Sequence, residues 1–211
     1  MKKIIIMSFL FILFFAFNGK IFACESPYNE HVIKVTYTNN CDYWIYYCCW
    51  WDNANHKLHV IFEEVTTYPN CKISMEDWPA FRDWMATQMM NDAISKCAPQ
   101  LPSCDPPPPY TINVVIASCL YYKNWWFYVS AGEAEWMLSL VACNQTPGIC
   151  ERRLSVCIDY SQNPPQITTL VDDCVVIQEP ECSTTEPQIP PQGKTWFEPW
   201  TTTCFAIPCC E

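Results

Sequence analysis

The residues best equipped for chemistry are sixteen cysteines: Cys24, Cys41, Cys48, Cys49, Cys71, Cys97, Cys104, Cys119, Cys143, Cys150, Cys157, Cys174, Cys182, Cys204, Cys209 and Cys210. Three chemistries are open to them. A reduced cysteine beside a base is a nucleophile. Thiolates in C-x-x-C pairs hold zinc. Oxidised pairs cross-link the chain. No C-x-x-C occurs anywhere in the sequence. The vicinal pairs Cys48-Cys49 and Cys209-Cys210 also lack the redox spacing that lowers a thiol pKa at a helix start. An even count, close to a twelfth of residues 24–211, points to a disulfide framework involving all sixteen. One sequence does not disclose the pairing.

The other candidates are weaker. His56 and His59 stand three apart at a strand start, where side chains point to opposite faces, a poor geometry for joint metal ligation. Carboxylate pairs Glu63-Glu64, Asp172-Asp173 and Glu133/Glu135 are of the kind glycoside hydrolysis uses. Nothing in the sequence sets any two at a working separation. Three glycines after residue 23 could hardly build a phosphate loop, and no nucleophile elbow is present. Trp50-Trp51 and Trp125-Trp126 could stack on sugar rings, although an aromatic core and sheet surface is the favoured reading. No catalytic residue, cofactor site or metal site is assigned.

Export explains the cysteines. The chain opens with two lysines, an apolar run from Ile4 to Phe17, a polar break at Asn18 to Lys20, and small Ala23. This is the order of a secretory signal, of a type that suggests a bacterium, with cleavage expected between Ala23 and Cys24. Cys24 also occupies the position of a lipid-bearing cysteine, but Phe22 and Lys20 suit that poorly, and lipidation would strand one thiol. Cleavage removes three of twelve basic residues and no acid, leaving nine against twenty-two. Such a charge repels phosphate backbones and anionic lipids, which excludes nucleic acid as a partner. No segment after the signal is long and apolar enough for a transmembrane helix.

The elements that position these residues are read from periodicity. "HVIKVTYT" (31–38) alternates, "CDYWIYYCCWW" (41–51) is apolar on both faces, and "HKLHVIFEEV" (56–65) returns, which predicts a three-strand meander with its middle strand covered on both sides. Cys48 and Cys49 then point to opposite faces. Cys41 lies roughly 23 Å from Cys48 along an extended strand, so each cysteine needs a distant partner. Trp78, Phe81, Met85, Met89 and Ala93 recur at threes and fours, predicting an amphipathic helix over about 76–97, with Ser74 and Asp77 as caps, Pro79 in the first turn and Lys96 in the last. The run Pro106 to Pro109 is a stiff spacer. Beyond it, 110–122 and 124–132 are strands, 133–143 fits helix or strand, and 150–161 and 167–177 frame a hairpin around "QNPPQ". Cys97/Cys104 and Cys143/Cys150 flank loops that their own disulfides could close.

The expected architecture is mainly β (α+β): a disulfide-rich, antiparallel, sandwich-like body with one amphipathic helix. The expected divisions are a signal (1–23), a meander plus helix (24–104), a polyproline linker (105–109), a second β lobe (110–178) and a Pro/Cys/aromatic-rich tail (179–211). The expected function is that of a secreted, non-catalytic structural protein of the cell surface or an extracellular filament. Its partners would be further copies of itself or other surface proteins, and the tail could supply a strand to a neighbour. A glycan- or protein-binding module and a carboxylate-dependent extracellular hydrolase are the alternatives.

Overall fold

The structure, a computed structural model, describes residues 24–105, 110–130, 133–143 and 148–210. The expected signal 1–23, the proline run 106–109, residues 131–132, the expected turn at 144–147 and residue 211 lie outside the described residues. Ten strands and one helix follow in the order β1 (Asn29–Tyr37), β2 (Cys41–Asp52), β3 (Lys57–Thr67), α1 (Trp78–Lys96), β4 (Tyr110–Ala117), β5 (Cys119–Ser130), β6 (Glu133–Ala142), β7 (Ile149–Asp159), β8 (Gln166–Gln178), β9 (Trp200–Thr201) and β10 (Phe205–Ala206). The fold is mainly β with one helix, as its patterning implies. The ambiguous 133–143 segment is a strand, hydrogen-bonded to β5 along its length.

All ten strands join one sheet. Strands β1, β2 and β3 form the antiparallel meander. The sheet forks on the other edge of β3. Lys57 to Ile61 pair with β4, while Glu64 to Thr67 pair with β6. Between them Glu63 is an extra residue, a bulge opposite Tyr46 and Tyr47, and such a bulge bends a strand and lets it change partners. One branch continues β4-β7-β8 and the other β6-β5, with β9 and β10 on the outer edge of β5.

The expected antiparallel order holds at every junction except β3–β4, which is parallel, so the sheet is mixed. The reason lies in the connection. A parallel neighbour needs a long crossover, and residues 68–109 supply one that contains α1. Strand β3 belongs to the 24–104 segment, whereas β4 and β6 belong to 110–178, so one sheet and one core run through both.

Helix α1 covers one face. Tyr43, Ile45, Tyr47 and Cys49 point at it, and the stripe Trp78, Phe81, Met85, Met89 and Ala93 is buried against them. Phe81 sits among the rings of Tyr37, Tyr43, Trp78 and Trp84. The expected caps bond to each other instead: Ser74 Oγ accepts from the Asp77 N–H and donates to its carboxylate. Pro79 and Lys96 take their expected places.

The opposite face is built differently from the expectation. There Trp44, Tyr46 and Trp50 of β2 are only half-buried. Residues 24–28 lie over part of it, held by the Cys24–Cys48 disulfide and by Tyr28 against Trp50. Beneath the aromatics is a buried polar layer. Thr66 and Ser139 hydrogen-bond at 2.8 Å, and the Trp125 indole N–H donates to Ser139.

The tail does not reach outward. Strands β9 and β10 add to β5 of the same chain, and Trp200, Phe205 and Ile207 are buried in its core. All sixteen cysteines are paired. Four bridges staple the body: Cys24–Cys48, Cys41–Cys71, Cys49–Cys97 and Cys104–Cys157. Four more rivet the tail to it: Cys119–Cys182, Cys143–Cys204, Cys150–Cys209 and Cys174–Cys210. The local pairs Cys97–Cys104 and Cys143–Cys150 therefore do not form. Cys97 ends α1 beside Cys49 of β2, while Cys104 is carried away to the end of β7, its N–H donating to the Ile158 carbonyl.

Candidate functional site

The histidines are spent on aromatic contacts. His56 lies in the β2–β3 turn with φ +50 and stacks on Tyr110. His59 lies on β3 and stacks on Trp50 at 5.3 Å. Burial, then the nearby Lys57, pushes the His59 pKa down, so the ring is neutral at neutral pH. His31 stacks on Tyr47, with Nε2 3.4 Å from Cys97 Sγ.

Two clusters bring potential metal ligands together, His31/Cys49/Cys97 and Cys24/Cys48/Glu63. Both cysteines of each are joined to one another. A disulfide sulfur is not a thiolate and offers a metal no anionic ligand. The Glu63 carboxylate is then the one anionic group of its cluster, 3.0 Å from Cys48 Sγ. That sulfur carries no proton, so this is a contact and not a hydrogen bond.

The carboxylate pairs are split by the pleat or already engaged. Glu64 accepts a hydrogen bond from Thr66 at 3.0 Å, while Glu63 occupies the bulge. Asp172 forms a bidentate pair with Arg152, at 2.7 Å to Nε and 2.5 Å to Nη2. This guanidinium holds the Asp172 pKa below the usual carboxylate range. Asp173 points to the other face, beside Arg153 in the register of β7. Glu135 pairs across the ladder with Phe127, whereas Glu133 is described only as a strand position.

A small apolar crevice lies between the start of α1 and the sheet, lined by Tyr43, Trp78, Phe81, Tyr122, Leu138 and Lys72. The tail engages two of its polar groups, while the buried Trp78 indole N–H has no hydrogen-bond partner among the described residues. Glu186 accepts from the Tyr122 hydroxyl at 2.8 Å and lies 2.6 Å from Lys72 Nζ. Burial, reinforced by that carboxylate, raises the Tyr122 pKa well above that of a free phenol.

The aromatic pairs divide. Trp50 and Trp51 pack against Tyr28, His59 and Tyr110. Trp126 lies edge-on to Trp136 and is 47% exposed.

The feature that stands out is an edge. Among the described residues β8 pairs with β7 alone. It is thirteen residues long, and eleven of them are exposed. Exposed Ile167, Leu170, Val171, Val176 and Ile177 lie along it. An uncovered strand with free backbone groups and apolar side chains is a template for another strand. The two bulges in β8, at Leu170 and Ile177, and Asp172 and Asp173 between them are the devices that moderate such an edge. The hairpin was readable from "QNPPQ". Its position at the sheet's edge was not, because that depends on which strands β4 and β7 choose as neighbours.

No family model, curated protein or solved structure matches this chain. Function therefore rests on the geometry alone.

Proposed function

We propose that this chain is an exported, non-catalytic structural subunit that associates with further copies of itself at the cell surface or in an extracellular appendage. The observation that carries the reading is the combination of a body locked by eight disulfides with one long apolar edge left open. The disulfides support a life in an oxidising compartment. No helix among the described residues is long and apolar enough to cross a membrane.

The locked tail redirects the expected mode of association. Its strands β9 and β10 and the aromatics Trp200 and Phe205 are used internally, although Phe197 stands 82% exposed, and the longer self-complementary surface is β8. A non-catalytic role is supported by the engagement of the candidate acids: Asp172 with Arg152, Glu64 with Thr66, and Glu63 against a disulfide.

Light scattering and electron microscopy on the natively oxidised protein test the reading. Oligomers or filaments that grow with concentration are expected. A single-chain mass at millimolar concentration would refute it, and so would polysaccharide hydrolysis abolished by Glu63→Gln or Glu64→Gln.

A further inference from the structure

The partner of the β8 edge can be read from the two ends of the sheet. Along the path β1-β2-β3-β4-β7-β8, both terminal strands are open edges. Following the pairings from β1 to β8, antiparallel at every step but β3–β4, shows that β1 and β8 run in the same direction. A second copy related by translation therefore presents β1 alongside β8 as a parallel neighbour, with both α1 faces on one side. Such a contact uses a different surface on each copy. Repeated, it does not close on itself and generates a filament.

The side chains fit this pairing. Val32 and Lys34 stand opposite Tyr46 and Trp44, so they lie on the face away from α1. Asp173 and Val171, opposite Arg153 and Ser155, lie on that same face. A single register sets Val32 beside Val171 and Lys34 beside Asp173. Both valines are 53% exposed. Strand β1 carries Glu30 and Lys34, and the charged residues of β8 are Asp172 and Asp173 alone. The lysine, though it also reaches Asp42 at 2.7 Å, is the cation that an acidic edge requires.

Pairing β8 with β8 of another copy fits worse. A two-fold axis through the middle of the strand brings the Asp172-Asp173 pairs of the two copies together, and like charges directly opposed are destabilising.

We propose that copies of this chain join head to tail, β8 of one receiving β1 of the next as a parallel strand, with Val32 against Val171 and Lys34 against Asp173. This rests on the assembly reading above and gives it a direction.

The test uses full oxidised protein and two blocked variants, Val32→Lys and Val171→Lys. Each keeps one good edge. Sedimentation velocity should show the parent as oligomers and each variant alone as a monomer. An equimolar mixture should give a dimer, because the intact β8 of one variant receives the intact β1 of the other. Near-UV circular dichroism and the absence of alkylatable thiols verify folding, and Val32→Glu with Val171→Glu replaces any variant that misfolds. A Val32→Lys chain that still associates like the parent, or a mixture that stays monomeric, overturns head-to-tail pairing. Parent oligomers unchanged by either substitution overturn it as well while leaving the assembly reading intact. A monomeric parent overturns both.

Discussion

Gly148 shows how tightly single residues are held. Its φ is +44, and a Cβ there would lie 2.3 Å from Ser118 Oγ and 2.8 Å from the Pro180 backbone. Pro180 cannot easily retreat, since Cys182 two residues on is bonded to Cys119. Gly148→Ala should cost about 1–3 kcal/mol, read as a lower denaturant midpoint. Gly193→Ala is the control. It is also at positive φ but has open space around it, so it should lose about 1 kcal/mol from the backbone alone. Equal losses would show that the packing around Gly148 is not as described. Tyr43 supplies a pH signature. Burial, then its neighbour Tyr37, pushes its pKa up to about 12, against an ordinary 10.0. A group that holds its proton more tightly when folded contributes stability that is complete below pH 10 and lost as pH rises to about 12. Tyr47 and Tyr122 shift the same way. Tyr43→Phe should therefore lose less stability between pH 10 and 12 than the parent, followed by denaturant titration at each pH. Identical slopes would place Tyr43 in solvent.

At the scale of elements, local period was legible and partnership was not. The alternation of "HVIKVTYT" and the three-four spacing of Trp78, Phe81, Met85 and Met89 each answer to one buried face, and both elements form where expected. The parallel β3–β4 junction was hidden because it depends on where the α1 crossover delivers the chain. The cysteine partners were hidden for the same reason. Cys97 and Cys104 are seven apart in sequence, but one faces β2 and the other is carried to β7. The half-buried aromatic face was misjudged because a residue's type does not say whether a second layer will arrive to cover it. The tail bridges close long loops, 63 residues for Cys119–Cys182. Replacing both cysteines with alanine should cost about 4 kcal/mol on a chain-entropy view. It should also raise binding of an apolar dye, as the tail that carries Phe205 and Ile207 loosens from the core. An unchanged thermal midpoint would mean that hydrogen bonding and packing alone hold the tail.

The whole molecule combines a net charge of −10 with a body that eight bridges make hard to unfold. Self-repulsion favours dispersal, and so any association must come from a local match strong enough to overcome it. The open strand β8 offers backbone groups and apolar side chains, and β1 offers the complementary edge. Cysteine content was legible as cross-linking. The sequence points to the tail as the strand offered to a neighbour, whereas its strands β9 and β10 add to β5 of the same chain, because an extended aromatic segment and an edge strand look alike until the sheet order is known. Amide hydrogen exchange, mapped along the chain at low and at high protein concentration, tests the central claim most directly. Strands β2, β3, β4 and β7 should exchange slowly at both concentrations, whereas the outward-facing amides of Asn29–Tyr37 and Gln166–Gln178, those not bonded to β2 or β7, should become protected only as concentration rises. Exchange in β8 that is equally fast at every concentration would contradict the account.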